Sequence, residues 1–170
     1  MPLRPLIYEV FTYYDREILP YKNDDVINAH AMPGAHAALQ AVQDAGLRCA
    51  LFTNPSFPQG AIECRMGWGD LADAPFELVT HMGNATRCKP DATYYLEQLQ
   101  AMGLEPHEVL MVGNDPKRDF PSPACGIQTA YVGQGKPGRA TWHGTMEDFA
   151  RDFNAVVEAF YEHQVADELS

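Results

Sequence analysis

Four short apolar runs, at residues 49–52, 76–80, 109–112 and 128–132, are set apart by helix-length amphipathic stretches. That alternation limits the fold more than any other feature of the chain. Strands joined through helices need crossover connections of one hand, which give a parallel sheet covered on both faces. The punctuation agrees. Pro33 and Gly34 precede a stretch with Ala35, Ala38, Leu39, Val42 and Ala45 on one face, and Gly46 closes it. Proline in the first turn and glycine past the end mark a helix. A second helix is expected from about Pro58, with Ile62 and Met66 inward. A third is expected over 91–102, with Tyr95, Leu96, Leu99 and Met102 inward and Gly103 as its stop. A last one is expected from Thr145, where Asp148 makes an imperfect capping box. Met146, Phe149, Phe153, Val156, Val157 and Phe160 then keep a 3.6-residue period. Residues 133–144, rich in glycine and proline, read as a surface loop.

The length of 170 residues suits one domain with a real core. A net charge of −11 argues against a nucleic-acid or anionic-membrane partner, either of which favours a basic face. It leaves room for small anionic substrates where a few cations are focused. No apolar run is long enough to span a bilayer, and the first residues lack the pattern of a secretory signal. Cys49, Cys64, Cys88 and Cys125 are scattered with no CxxC pair, as suits a reducing cytosol. A soluble cytoplasmic domain is expected.

In open α/β sheets ligands sit at the carboxyl ends of the strands. Those ends carry Thr53-Asn54, Thr80-His81, and Asn114-Asp115 with Asp119, while Lys89 stands just before the third helix. A hydroxyl, backbone amides and a lysine suit a phosphoryl group; acids without basic neighbours suit a hard cation such as magnesium. Plainer readings exist for each. Thr53-Asn54-Pro55 suits a turn, Lys89-Pro90 a solvated helix start, and Asp115 and Asp119 the N-terminal end of a helix. Pro121 and Pro123 oppose a long helix there. The stretch 133–138 matches G-x-G-x-x-G, but no amphipathic helix follows directly, so a dinucleotide site is not expected.

Three motifs in order, "LFTNP" (51–55), "CKPDATYY" (88–95) and "LMVGNDPKRD" (110–119), resemble the second, third and fourth motifs of the haloacid dehalogenase superfamily. The resemblance covers roughly residues 32–133 and is nearest to phosphatase-type members with a helical cap. It implies a three-layer, Rossmann-like parallel sheet with helices on both faces. It further implies that Thr53 and the amide of Asn54 bind a phosphate oxygen, and that Lys89 neutralises the phosphoryl charge and the attacking aspartate. Asp115, or Asn114 with the register shifted by one, would hold magnesium; Asp119 would support that metal site and orient Lys89. The implied substrate is a small phosphorylated metabolite, hydrolysed through an aspartyl-phosphate.

The chain departs from that family at its first motif, an apolar strand ending in Asp-x-Asp, which occurs nowhere in it. The nearest substitute is Asp15 with Glu17, after "LIYEVFTYY". Ile7, Tyr8, Val10, Phe11, Thr12, Tyr13 and Tyr14 favour a strand by propensity. Periodicity favours a helix, because Ile7, Val10, Phe11, Tyr14, Ile18 and Leu19 share one helical face that continues past Asp15. The helix is the expectation, which makes residues 1–31 a remnant of a cap or linker and 32–170 the core. The first strand and most of the cap are then missing, as in a shortened reading frame or a fragment. Unpaired inner sheet edges follow, and with them marginal stability, strand rearrangement or self-association. Three functional readings remain: a magnesium-dependent phosphatase, a non-catalytic protein keeping a phosphate or metal pocket, and an uncapped enzyme using Asp15 as nucleophile.

Overall fold

Among the described residues every strand pair is parallel, but the strands form two sheets rather than one. A computed structural model describes residues 3–168. β1 (Ala50–Leu51) pairs with β2 (Leu78–Val79), Ala50 opposite Leu78. β3 (Leu110–Gly113), β4 (Gln128–Val132) and β5 (Trp142–Gly144) form the second sheet in that order, with Val112 opposite Ala130 and Ala130 opposite Trp142. Among the described residues β1 and β3 therefore have one strand neighbour each. The helices are α1 (Leu3–Tyr13), α2 (Ala35–Asp44), α3 (Gln59–Trp68), α4 (Ala92–Met102), α5 (Met146–Arg151) and α6 (Phe153–Glu168).

Two apolar clusters cover the two faces. Ala38 of α2 packs with Ala130, Val132, Phe149, Phe153 and Val156, and Leu110 and Val112 lie against them. On the other face Tyr94, Tyr95, Leu99 and Ile127 pack with Phe52, Val109 and Met111. Successive β3 residues thus feed opposite clusters, the period-two signature of a strand buried on both faces. This is the three-layer parallel α/β architecture that the spacing of apolar runs requires.

Three local expectations need correction. The inward face of α4 holds fully buried Tyr94 beside Tyr95, whereas Leu96 points outward. The hydroxyl of Tyr94 has partners at the strand ends, described below, and a hydrocarbon at 96 has none. The loop 133–144 closes as β5, held by pairing with β4 and by Trp142 edge-on to Phe149 at 5.4 Å. The last helix breaks at Asp152 into α5 and α6, although its capping box is complete: the Asp148 amide donates to Thr145 Oγ1 and the Thr145 amide to Asp148 Oδ2, each at 3.0 Å.

The N-terminal segment is helical, as its period argues, but only the far end of the expected inward face is covered. Ile7, Val10, Phe11 and Tyr14 are exposed, whereas Ile18 is half-buried and Leu19 buried. After α1 the chain continues as a π-helical turn (Tyr14–Ile18) and a 3₁₀ turn (Leu19–Tyr21), whose Asp15 and Leu19 are the segment's buried side chains and which pack on α3. No helix among the described residues is long and apolar enough to cross a membrane.

Candidate functional site

The loop leaving β1 is fixed by Thr80, the residue that follows β2. The Thr53 amide donates to Thr80 Oγ1 at 2.7 Å, and the Thr53 hydroxyl donates to the Thr80 carbonyl at 2.6 Å. Thr80 is fully buried, so these bonds replace water that it has lost. The Tyr94 hydroxyl donates to the Thr53 carbonyl at 2.6 Å and lies 2.9 Å from Thr80 Oγ1. Burial pushes Tyr94 up to about 12, which keeps it a neutral phenol donor at ordinary pH. Asn54 is exposed, and among the described residues no acceptor meets its amide.

The second half of the site lies beyond β3. Lys89 Nζ is 2.7 Å from Asp119 Oδ1, and both side chains are nearly buried, at 11% and 13% exposure. The other Asp119 oxygen, Oδ2, accepts the amides of Asn114 at 3.1 Å and Asp115 at 2.9 Å. The Tyr95 hydroxyl donates to the Asp119 carbonyl, and burial raises its pKa as well. Asp119 lies directly against Gly113: a Cβ at 113 would stand 2.5 Å from Asp119 Cβ. Phe120 and Pro121, buried just beyond, anchor the same loop.

Asp115 turns back on its own loop, its Oδ1 accepting the amides of Lys117 at 3.0 Å and Arg118 at 3.3 Å. Its other oxygen, Oδ2, lies 3.6 Å from Arg118 Nε; the side chain is half-exposed and Asn114 is exposed, so this turn presents hard oxygen donors to solvent. Magnesium takes one or two protein carboxylates together with substrate phosphate oxygens, and this donor set fits it. Both Asp119 oxygens are engaged, so the donors left for a cation are Asn114 and Asp115 Oδ2, the latter 3.6 Å from Arg118 Nε. Among the described residues no group of three or more His, Cys, Asp or Glu side chains forms a ready metal cage.

The expected residues thus fall into two constellations, Thr53 with Asn54 and Lys89 with Asp119, Asn114 and Asp115. Asp15 joins neither. It is 5% exposed beside α3, where a Cβ on Gly60 would lie 3.7 Å from its own, and its Oδ2 has no hydrogen-bond partner. Sequence reasoning missed the parts played by Thr80, Tyr94, Tyr95 and Gly113. A threonine ending a strand and a tyrosine pair at a helix start were the available signals.

The family model of haloacid dehalogenase-like hydrolases matches residues 3–125. The chain belongs to that family. It is 30% identical over 120 residues to the phosphoglycolate phosphatase of Rhodospirillum rubrum, a match covering 71% of this chain and 48% of that one. The chain therefore spans about half the length of this curated relative. Solved structures share the fold at lower identity. A β-phosphoglucomutase from Clostridium difficile is 16% identical, with a TM-score of 0.67 over 95% of this chain and 68% of that one. A phosphatase of this family from Thermococcus onnurineus is 21% identical, with a TM-score of 0.60 over 72% of this chain and 57% of that one. A family hydrolase from Deinococcus radiodurans, solved with bound phosphate and sodium, is 20% identical with a TM-score of 0.61, covering 89% of this chain and 75% of that one.

Proposed function

We propose that the carboxyl edge of the strands binds the phosphate group of a small phosphorylated metabolite, and that the reaction belonging to this edge is magnesium-dependent hydrolysis of a phosphate monoester. The single observation that carries the reading is the nearly buried Lys89–Asp119 pair, whose carboxylate also holds the amides of the Asn114-Asp115 turn. A buried ammonium held by one carboxylate keeps two N–H donors for an anionic ligand. The Asn54 amide is a further donor on the opposite loop. Thr53 joins by exchanging its bond to the Thr80 carbonyl for one to a phosphate oxygen. Asp119 positions Lys89, and through two amides it also shapes the turn that carries Asp115.

Bound magnesium would be held by Asp115 and Asn114 and would draw negative charge away from the phosphoryl oxygens. In the aspartyl-phosphate route a carboxylate oxygen attacks phosphorus and the ester P–O bond breaks. The leaving alkoxide takes a proton, and water then cleaves the acyl-phosphate to free carboxylate and inorganic phosphate. The scattered cysteines, all free thiols, favour a reducing cytoplasmic setting. A second reading, phosphate binding without turnover, is favoured by the burial of Asp15 against α3.

Magnesium-dependent hydrolysis of p-nitrophenyl phosphate tests the first reading. Turnover that is abolished in Lys89→Met and Asp115→Asn is the expected result. Phosphate binding with no turnover in the unmodified protein favours the second reading instead.

A further inference from the structure

The carbonyls of Asp119 and Pro121 are each held by a side chain from another part of the chain. The Tyr95 hydroxyl donates to the first and Nη2 of Arg139 to the second. Among the described residues no backbone amide donates to either carbonyl. Phe120 and Pro121 are buried, and a buried carbonyl needs a partner. For Pro121 that partner is Arg139.

Arg139 comes from the connection between β4 and β5, residues 133–141. Its backbone is fixed there. Buried Thr129 of β4 donates its hydroxyl to the Arg139 carbonyl at 2.9 Å, and the Thr141 amide donates to the Thr129 carbonyl at 2.8 Å. From that fixed point the side chain reaches the loop beyond β3. Arg139 is itself exposed, so its link to the loop is this hydrogen bond rather than packing. Its charge is felt at Tyr95 too: burial and then the Asp119 carboxylate raise that phenol, and the guanidinium opposes them.

The loop held in this way carries the most constrained side chain of the site. Asp119 accepts from Lys89 on one oxygen and from the Asn114 and Asp115 amides on the other. Its Cβ lies against Gly113, so the side chain has little room to compensate for a shift of its backbone. A misplacement of about 1 Å, even far from the reacting atoms, is enough to disable a site. Tyr95 pins this strip of backbone at Asp119, and Arg139 pins it at Pro121.

We propose that Arg139 is a positioning residue for the candidate site. By holding the Pro121 carbonyl it fixes the backbone that carries Asp119, and through Asp119 it sets the Lys89 ammonium and the Asn114-Asp115 turn. It needs no contact with a ligand. The pairing of β5 with β4 then does more than extend the sheet, because it holds the connection that delivers Arg139 to Pro121. The consequence for phosphate rests on the hydrolase reading; the positioning of Asp119 does not.

Amide exchange followed by NMR, without ligand, tests the positioning. Calorimetric titration with inorganic phosphate in magnesium tests its consequence. Three variants are compared with the unmodified protein. Arg139→Met removes the bond, and Arg139→Lys keeps a donor and the charge. Lys136→Met removes an exposed cation of the same connection. Retained protection of the β3 and β4 amides shows that each variant is folded. In Arg139→Met the Asn114 and Asp115 amides are expected to exchange about tenfold faster, and phosphate to bind about tenfold more weakly. Arg139→Lys should restore most of both, and Lys136→Met should change neither. Unchanged exchange at Asn114 and Asp115 in folded Arg139→Met overturns the proposal. So does an equal loss of affinity in Lys136→Met, which would assign the effect to charge alone. Absence of phosphate binding in all four proteins counts against the phosphate reading, and the exchange result then still decides the positioning.

Discussion

Tyr94 and Tyr95, neighbours on α4, donate their hydroxyls to carbonyls on opposite halves of the site, Thr53 on one side and Asp119 on the other. Their rings meet edge to face at 5.1 Å and 88°, and each hydroxyl holds a carbonyl of its own. The split between the sheets is bridged at this point, and the site's geometry depends on it. Removing either hydroxyl is expected to destabilise the fold by about 1 kcal/mol. Because the two bonds hold different halves, Tyr94→Phe and Tyr95→Phe should add to within about 0.5 kcal/mol in a double-mutant cycle of urea unfolding. A larger coupling would show that the halves communicate through the tyrosine pair.

Lys89 and Asp119 are unequal partners. Asp119 serves the lysine and two backbone amides, whereas Lys89 has Asp119 alone among the described carboxylates. Asp119→Ala is expected to cost about 3 kcal/mol or more, because it strands a nearly buried ammonium and two amides. Lys89→Met leaves Asp119 with its amide donors and should cost about 1 kcal/mol, with phosphate binding lost. Chemical denaturation of the two variants, read beside phosphate binding, checks the order.

Gly113 is needed for its missing side chain. Gly113→Ala places a methyl 2.5 Å from Asp119 Cβ, inside any tolerable contact, with β3 and a packed loop on either side. Overpacking of this kind costs about 1–3 kcal/mol, and the relief available is displacement of Asp119. Loss of stability together with weakened phosphate binding is expected. A phosphate affinity equal to that of the unmodified protein would show that the Asp119 position is not critical.

The docking of the N-terminal segment on α3 should depend on pH. Burial raises the Asp15 carboxyl above its ordinary value, and Arg65 of α3 opposes the shift; Cys64 is the other titratable neighbour on that helix. A carboxyl raised in the docked state stabilises docking in its protonated form. That contribution is complete below the ordinary carboxylate range near about 4 and is lost as pH rises through the raised value. Proteolysis within residues 3–21 is expected to accelerate as pH rises through the raised Asp15 value, and Asp15→Asn should flatten the profile. An unchanged profile in Asp15→Asn would assign the loosening to other groups.

Much of the fold was legible because the core strands are short apolar runs with helix punctuation between them. β4 appears where its residues predict it, at Gln128–Val132, and α2 ends at Asp44, just before Gly46. What escaped was decided by long-range partners. β5 has three residues in a glycine- and proline-rich stretch and exists because β4 and Phe149 receive it. Tyr94 turns inward past Leu96 because its hydroxyl has partners contributed by two other segments. The candidate residues Thr53, Asn114, Asp115 and Asp119 stand out in the sequence as strand-end chemistry, and Lys89 as the cation ahead of α4. That Asp119 spends its second oxygen on backbone amides depends on a loop conformation no spacing reveals. The exposed apolar face of α1 is the clearest failure of periodicity, since an amphipathic pattern says a face can be buried and not that a partner is there.

The central claim is that the edge around Lys89 is built to hold a phosphate group, and calorimetric titration with inorganic phosphate in the presence of magnesium tests it most directly. The unmodified protein is expected to bind one phosphate, and Lys89→Met to bind it at least about tenfold more weakly, a loss of about 1.4 kcal/mol. Absence of binding, or equal affinity in the two proteins, would contradict the account.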